Sequence, residues 1–362
     1  MMAESSLLKN IRPPRIRPYI GRLWYDWLDG RRLARAVGLA PLVLTRVPPL
    51  PGASRLDEWV VQDARWSKTG AAVLHLGLGP PSGEPLGILK LAFTDTARQG
   101  LRAQSSLLAQ LRSDSRLGDW HALLPRPVAE GEVAGLYYVL QEALPGLPAD
   151  ARPGGADVDS WRLLGLAIEA IRPLHQRTVE RTILGGSFVA EAVDRPLALL
   201  RLAARSSLPI RREDSLARLA RELHGVLAGR EGVTGWIHGD LWLGNVLVAP
   251  EGSRVTGIVD WSAASPRELA LHDVLHLILH RRQVEQKREL GAVVRAVLER
   301  AEWEPGEREL LAQPLLAAGI GERAAVLLYW LRRLRFIIEQ GTGPARNPLW
   351  VAWNIDEVLR CL

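Results

Sequence analysis

The chain reads as an α+β protein in two parts, a small antiparallel β-sheet lobe followed by a mainly helical lobe. Three observations carry that expectation. First, residues 58–93 are strands and turns: Trp59–Gln62, Ala71–Leu76 and Leu86–Phe93 are apolar runs separated by short Gly-, Ser- and Pro-bearing segments. Second, apolar residues recur at helical spacing through Trp161, Leu164, Ala167, Ile168, Ile171 and Leu174, and residues 284–362 keep a helical pattern. Third, the chain has 362 residues, and single cores stop growing beyond about 250–300 residues. The expected organisation is therefore an arm with an extra helix over 1–50, a sheet lobe over 51–141 and a helical lobe over 142–362.

Composition narrows the function classes. An apolar fraction of 47% with 24% charged residues is that of a folded globular chain, so disorder is expected only at the ends. The net charge of +6 comes from scattered arginines, not a basic block, which argues against a nucleic-acid partner and for anionic ligands. Lysine occurs only at 9, 68, 90 and 287, so a lysine amid apolar strand residues calls for an explanation. Cys361 is the lone cysteine, which excludes an internal disulfide and a thiolate metal cluster and points to a reducing, cytoplasmic setting. The opening MMAESSLLKNIRPPR lacks the apolar core of a signal peptide.

Taken in order, residues 1–18 read as a loosely held arm. Residues 19–37 follow as a helix interrupted at Gly30, basic and Trp-bearing, suited to packing on the sheet lobe or to peripheral contact with a membrane surface. Ser67-Lys68-Thr69-Gly70 is a turn between strands. Gly77-Leu78-Gly79-Pro80-Pro81-Ser82-Gly83 is no dinucleotide loop, because two prolines cannot open a helix with free N–H groups toward a phosphate. Lys90 lies at the centre of the apolar strand 86–93, where an isolated ammonium must reach water or an anion. A helix is expected over 97–112. A strand over 136–140 leads into 141–146, a loop covers 150–159, and helix-like segments run from Trp161 through His175 to Leu227.

The densest concentration of chemistry is WIHGDLWLGNVLVAPEGSRVTGIVDW, residues 236–261. Asp240 precedes Asn245 by five residues across a glycine-bearing loop. Val246–Val248, the turn Pro250-Glu251-Gly252-Ser253 and Val255–Val259 form a hairpin pattern that ends on Asp260. Two carboxylates and an amide brought together this way suit one base and oxygen ligands for Mg²⁺, which takes carboxylates, waters and nucleotide phosphates.

His238-Gly239-Asp240, Asn245 and Val259-Asp260-Trp261 resemble the aminoglycoside phosphotransferase and choline kinase branch of the protein-kinase-like superfamily. The resemblance spans ordered landmarks from Glu58 to Arg282 and implies a two-lobed kinase-like fold that uses ATP and Mg²⁺. On that likeness Asp240 is the catalytic base, and Asn245 and Asp260 hold the metal. Lys90 meets the α and β phosphates, with Ser67, Thr69 and Gly70 at the phosphate-side turn and backbone around Glu142 to Leu144 at adenine. Asp273 matches an aspartate that braces the catalytic loop. One position departs from the pattern: where the family places a glutamate to pair with the strand lysine, this chain has Gln104, four residues before Leu108. His272, His276 and His280 share one helical face, but without a thiolate they read as surface or packing residues, not as a zinc site.

The activity implied is phosphoryl transfer to a hydroxyl of a small molecule. Tryptophans in the last third, with acidic and basic residues in near balance, suit a sugar or polyol better than an aminoglycoside or amino alcohol. The competing expectation is a nucleotide-binding or scaffold protein of the same fold that has lost turnover, motivated by Gln104 and the sparse phosphate turn.

Overall fold

The computed structural model describes residues 22–48, 59–67, 69–78, 84–151, 158–203, 210–300, 302–341 and 343–362, with backbone alone at 22–28, 158–159, 210–211 and 344. The arm over 1–18, the side chains of Trp24 and Trp27, Lys68, the turn residues 79–83 and the loop residues 152–157 lie outside the described residues. Two compact units emerge. One holds Met1–Ser113, His121–Gly146 and Thr256–Ser262; the other holds Asp114–Trp120, Leu147–Val255 and Ala263–Leu362. The division differs from a clean break at 141/142. Thr256–Ser262 joins the first unit because Gly257 lies directly beneath Leu144 and the Thr256 hydroxyl donates to the Pro145 carbonyl at 2.5 Å.

The first unit is a five-stranded antiparallel sheet. Its strands are β1 (Trp59–Trp66), β2 (Ala71–Leu78), β3 (Gly87–Ala92), β4 (Pro127–Val133) and β5 (Leu136–Glu142), in the order β1-β2-β3-β5-β4. Strand alternation sorts the side chains of β3. Leu89 and Leu91 point to the face covered by helix α1 (Arg22–Leu44), where Leu33, Ala36, Ala40 and Val43 complete a core with Leu74 and Leu76. Each such leucine stabilises the unit by roughly 1.5–3 kcal/mol when fully buried. The helix passes through Gly30 without a break and runs to Leu44, longer than 19–37, and its Leu33, Ala36, Ala40 and Val43 pack on the sheet. Lys90 and Ala92 point to the opposite face, which α2 (Asp95–Ser113) covers through Ala97 and Leu101.

The second unit is mainly helical, with α3 (Val158–Arg177), α4 (Arg195–Ala203), α5 (Ile210–Leu227), α6 (Leu271–Gln286), α7 (Leu290–Arg300), α8 (Pro305–Ala318) and α9 (Glu322–Gln340). The stretch from Trp161 to Leu227 is not helical throughout. A strand over Glu180–Leu184 pairs antiparallel with Arg230–Ile237, which also pairs with Ser265–Glu268. Arg230–Ile237 delivers the His238-Gly239-Asp240 segment. After it, a short strand over Val246–Val248 pairs with Leu147–Pro148, and the following turn closes by the Ala249 N–H donating to the Arg254 carbonyl at 3.0 Å. α6 is buried nearly all round, and α9 is buried from Ala324 to Leu331.

Candidate active site

Within the first unit, register places Lys90 opposite Val73 on β2 and Val139 on β5. Its ammonium donates to Gln104 Oε1 at 3.0 Å. Gln104 is only 3% exposed, and its Nε2 has no hydrogen-bond partner. A neutral amide thus stands where a carboxylate would supply a charge-assisted bond. Burial lowers the Lys90 pKa, and the negative charge of Asp260 partly restores it. Asp260 is solvent-exposed and holds a left-handed backbone at φ 63°, a conformation that Asp tolerates better than most residues.

The turn at Ser67–Gly70 is largely self-satisfied. Ser67 Oγ accepts from the Ala71 N–H at 2.8 Å and shares a hydrogen bond with the Thr69 hydroxyl at 3.0 Å. The Gly70 N–H donates to the Ser67 carbonyl, and Thr94 bonds the Thr69 carbonyl at 2.7 Å. A phosphate at this turn would have to share the hydroxyls with these partners. At 142–144 the Glu142 N–H donates to the Arg126 carbonyl and the Ala143 N–H to the Leu86 carbonyl. Among the described residues no backbone bond engages the Leu144 N–H.

In the second unit two helices hold the 238–245 loop. Asp273, fully buried on α6, accepts from the His238 N–H at 2.8 Å and the Gly239 N–H at 2.7 Å, and His175 Nε2 donates to it at 2.9 Å. Burial works to raise the Asp273 pKa, but the His175 hydrogen bond and the neighbouring charges win and hold it at about 2. Arg332 on α9 donates to the Gly239 carbonyl at 2.8 Å and the Ala263 carbonyl at 3.0 Å, and its charge faces Glu268. Gly239 sits at φ 79°, and a Cβ there would fall 2.2 Å from the Ala263 carbonyl oxygen. Only glycine fits that conformation and that clearance.

Asp240 is therefore presented by a rigid loop, and its carboxylate is held as well. Arg333 donates to Oδ1 at 2.5 Å, and His276 Nε2 donates to the same oxygen at 3.1 Å. His276 is neutral, because burial and Arg333 outweigh the pull of Asp240 and push its pKa down to about 3. With Nε2–H facing the carboxylate, Nδ1 accepts from the Tyr329 hydroxyl at 2.9 Å. Burial would raise the Asp240 pKa, yet the His276 bond and the Arg333 charge carry it far below the usual carboxylate range. Neither donor engages Oδ2. Asn245 Nδ2 donates to the Asp240 backbone carbonyl at 2.9 Å, which ties the two residues together through the amide nitrogen and not the amide oxygen.

The histidine trio is not a surface feature. His272 and His276 are each 2% exposed. His272 faces Glu268, and the His280 ring lies 4.8 Å from Trp242 and 5.5 Å from His276. Among the described residues no three His, Cys, Asp or Glu side chains form a group that could hold a metal. Taken singly, the Asn245 amide and the Asp260 carboxylate are oxygen donors of the kind Mg²⁺ accepts, an ion that commonly takes one or two protein ligands and completes its shell with water and phosphate. Sequence reasoning missed Arg333, His276 and Tyr329 as neighbours of Asp240. The one available signal was the spacing of four that put His276 on the face shared with His272 and His280.

Several solved structures are similar to the chain. Aminoglycoside phosphotransferase APH(2'')-Ib, ADP-bound, is 12% identical with a TM-score of 0.51, covering 83% of this chain and 93% of that one. A thermostable mutant of aminoglycoside phosphotransferase APH(4)-Ia is 17% identical with a TM-score of 0.50, covering 83% and 94%. Aminoglycoside phosphotransferase APH(3'')-Id from Streptomyces rimosus is 20% identical with a TM-score of 0.46, covering 75% and 92%. At these identities the likeness bears on the fold alone. No curated protein matches the sequence. Residues 52–311 match the model of the phosphotransferase enzyme family, and with that span well over half its length the chain belongs to this family.

Proposed function

We propose that the protein transfers the γ-phosphoryl group of ATP, with Mg²⁺, to a hydroxyl of a small molecule, a sugar or polyol rather than an aminoglycoside or amino alcohol. The observation that carries the reading is the presentation of Asp240, whose loop is fixed by Asp273 and Arg332 while Oδ2 is left for a hydroxyl. Asp240 orients the acceptor hydroxyl and takes its proton. Its low basicity is no obstacle, because a loose phosphoryl-transfer transition state releases that proton late. Lys90 binds the α and β phosphates, with Ser67, Thr69 and Gly70 as a secondary contact and the Leu144 N–H beside Glu142 meeting the base. Asn245 and Asp260 would hold Mg²⁺, which when bound would supply charge neutralisation and orientation of the phosphates. Positioning and charge neutralisation supply the catalysis. The lone cysteine suits a cytoplasmic enzyme.

The second reading, a nucleotide-binding protein without turnover, is favoured by one observation, the neutral Gln104 as the hydrogen-bond partner of Lys90. Incubation with ATP, Mg²⁺ and a pooled library of sugars, polyols, amino alcohols and aminoglycosides, followed by mass spectrometry for phosphate-sized gains, separates the two. The expected result is product from wild type and about 10²- to 10⁴-fold less from Asp240→Asn, which keeps the carboxylate's shape without its basicity. Equal product from both would remove Asp240 from the mechanism, and nucleotide binding without product would favour the second reading.

A further inference from the structure

The guanidinium beside Asp240 bears on the acceptor's chemistry. α9 carries three neighbouring arginines, and their surroundings differ. Arg332 faces Glu268 and two backbone carbonyls. Arg335 pairs with Glu191 and Glu339. Arg333 faces the Asp240 carboxylate and the ring of Phe336, 5.1 Å from its guanidinium carbon. That carboxylate is already shared with the His276 N–H. Arg333 remains partly exposed, with guanidinium donors beyond the single N–H that Asp240 takes. The other carboxylates of this neighbourhood are taken as well: Asp273 by His175 and the loop N–H groups, Glu268 by Arg332, and Glu191 and Glu339 by Arg335 and Arg195. A polycation would find its counter-charges occupied and a guanidinium in its way. An anion close to the reacting hydroxyl would find an arginine one hydrogen bond from the base, with Phe336 beside it.

Building on the kinase reading, we propose that the acceptor is an anionic polyol, a hydroxyl compound bearing a carboxylate or a phosphate monoester, and that Arg333 binds its anionic group. Arg333 offers a planar pair of donors that matches either anion. Engagement of the anion draws the guanidinium toward the substrate while Asp240 Oδ2 meets the hydroxyl. Arg333 thus selects the acceptor, and Asp240 serves the transfer.

The test uses matched sets on three-, four- and six-carbon polyols, each as neutral alcohol, carboxylic acid, phosphate monoester and amine, titrated into the full chain by calorimetry without nucleotide. At least one acid or phosphate monoester is expected to bind more tightly than its neutral parent, and the acid and ester arms identify which anion is preferred. Arg333→Met should erase that preference, a loss of about ten- to hundredfold. Arg333→Lys should keep part of it, and Arg335→Met, which removes a charge already paired with glutamates, should leave it intact. Acids and esters that bind no better than their parents, or amines that bind best, would overturn the proposal. So would an Arg333→Met variant that loses transfer equally to neutral and anionic acceptors, since Arg333 would then serve the transferring phosphoryl group. Nucleotide-free anion binding that depends on Arg333, in a protein that transfers no phosphate, would sink the kinase reading and leave the anion site standing.

Discussion

Lys90 in the first unit and Asp240 in the second are opposite solutions to holding a charge at low solvent exposure. Lys90 has a neutral partner in Gln104, and the counter-charge acting on it is the exposed Asp260. Burial therefore leaves its ammonium under-compensated and receptive to an incoming anion. Asp240 has the reverse condition: two donors on one oxygen, one of them a guanidinium, and a loop tied to two helices. The Lys90 side is electrostatically open and locally simple; the Asp240 carboxylate is compensated and its loop over-determined. A charge that binds a ligand gains from being left wanting, whereas a charge that orients a reacting group gains from being fixed.

The contrast can be broken most severely at Gly239. Gly239→Ala forces a Cβ into the Ala263 carbonyl at positive φ, and the expected loss is about 2–5 kcal/mol of stability, read by chemical denaturation. A variant as stable as wild type would mean that the loop is not over-determined. Next in size, Lys90→Ala should weaken ATP binding by roughly ten- to hundredfold with little change in melting temperature, because charge-assisted bonds to phosphate are lost while the fold loses only a neutral contact. Unchanged affinity would place the phosphates elsewhere.

A smaller effect separates the two sides by pH. His276 titrates near 3 in the folded protein against its ordinary 6.5, so the unfolded chain takes up a proton that the folded protein refuses. Its contribution to stability is complete above about pH 6.5 and is lost as pH falls toward 3. His276→Gln should flatten that slope, leaving the part due to His75 in the first unit, which burial also depresses. Asp273 and Glu268, both held near 2, act only below the ordinary carboxylate range. A slope between pH 6.5 and 4.5 unchanged by His276→Gln would show that the imidazole is not kept neutral. The smallest expected effect is Gln104→Glu, which gives Lys90 an ionic partner. Nucleotide affinity should move by less than about fivefold, within about 1 kcal/mol, and a hydrogen-exchange gain in α2 would mark the stronger pair.

How much of this was legible follows from where each signal lies. β2 and β3 alternate burial in step with their sequences, so the sheet and the face that Lys90 occupies could be read directly. The strand Glu180–Leu184 could not, because most of its side chains are exposed and no apolar alternation marks it. Asp240 and Asn245 are five apart, and the bond between them is local. Arg333 and His276 reach Asp240 from 93 and 36 residues away, on helices whose apolar surroundings hide a polar purpose. α6 is buried nearly all round as far as Arg282 and so lacks the amphipathic stripe that would have singled out His276 against its neighbours. The cover that α1 forms over the sheet was written in its leucines and alanines, but not the face on which it would lie.

The left-handed backbone at Asp260 sets thermodynamics against chemistry at a single residue. Glycine adopts φ 63° without the steric penalty of a Cβ, and the entropy it adds to the unfolded chain offsets much of what that relief contributes. Folding alone would therefore be nearly indifferent to Asp260→Gly, while a carboxylate facing Lys90 would vanish with it. Screens of this protein scored by expression or melting temperature would pass such a variant as silent, and only a nucleotide-dependent readout would register the loss.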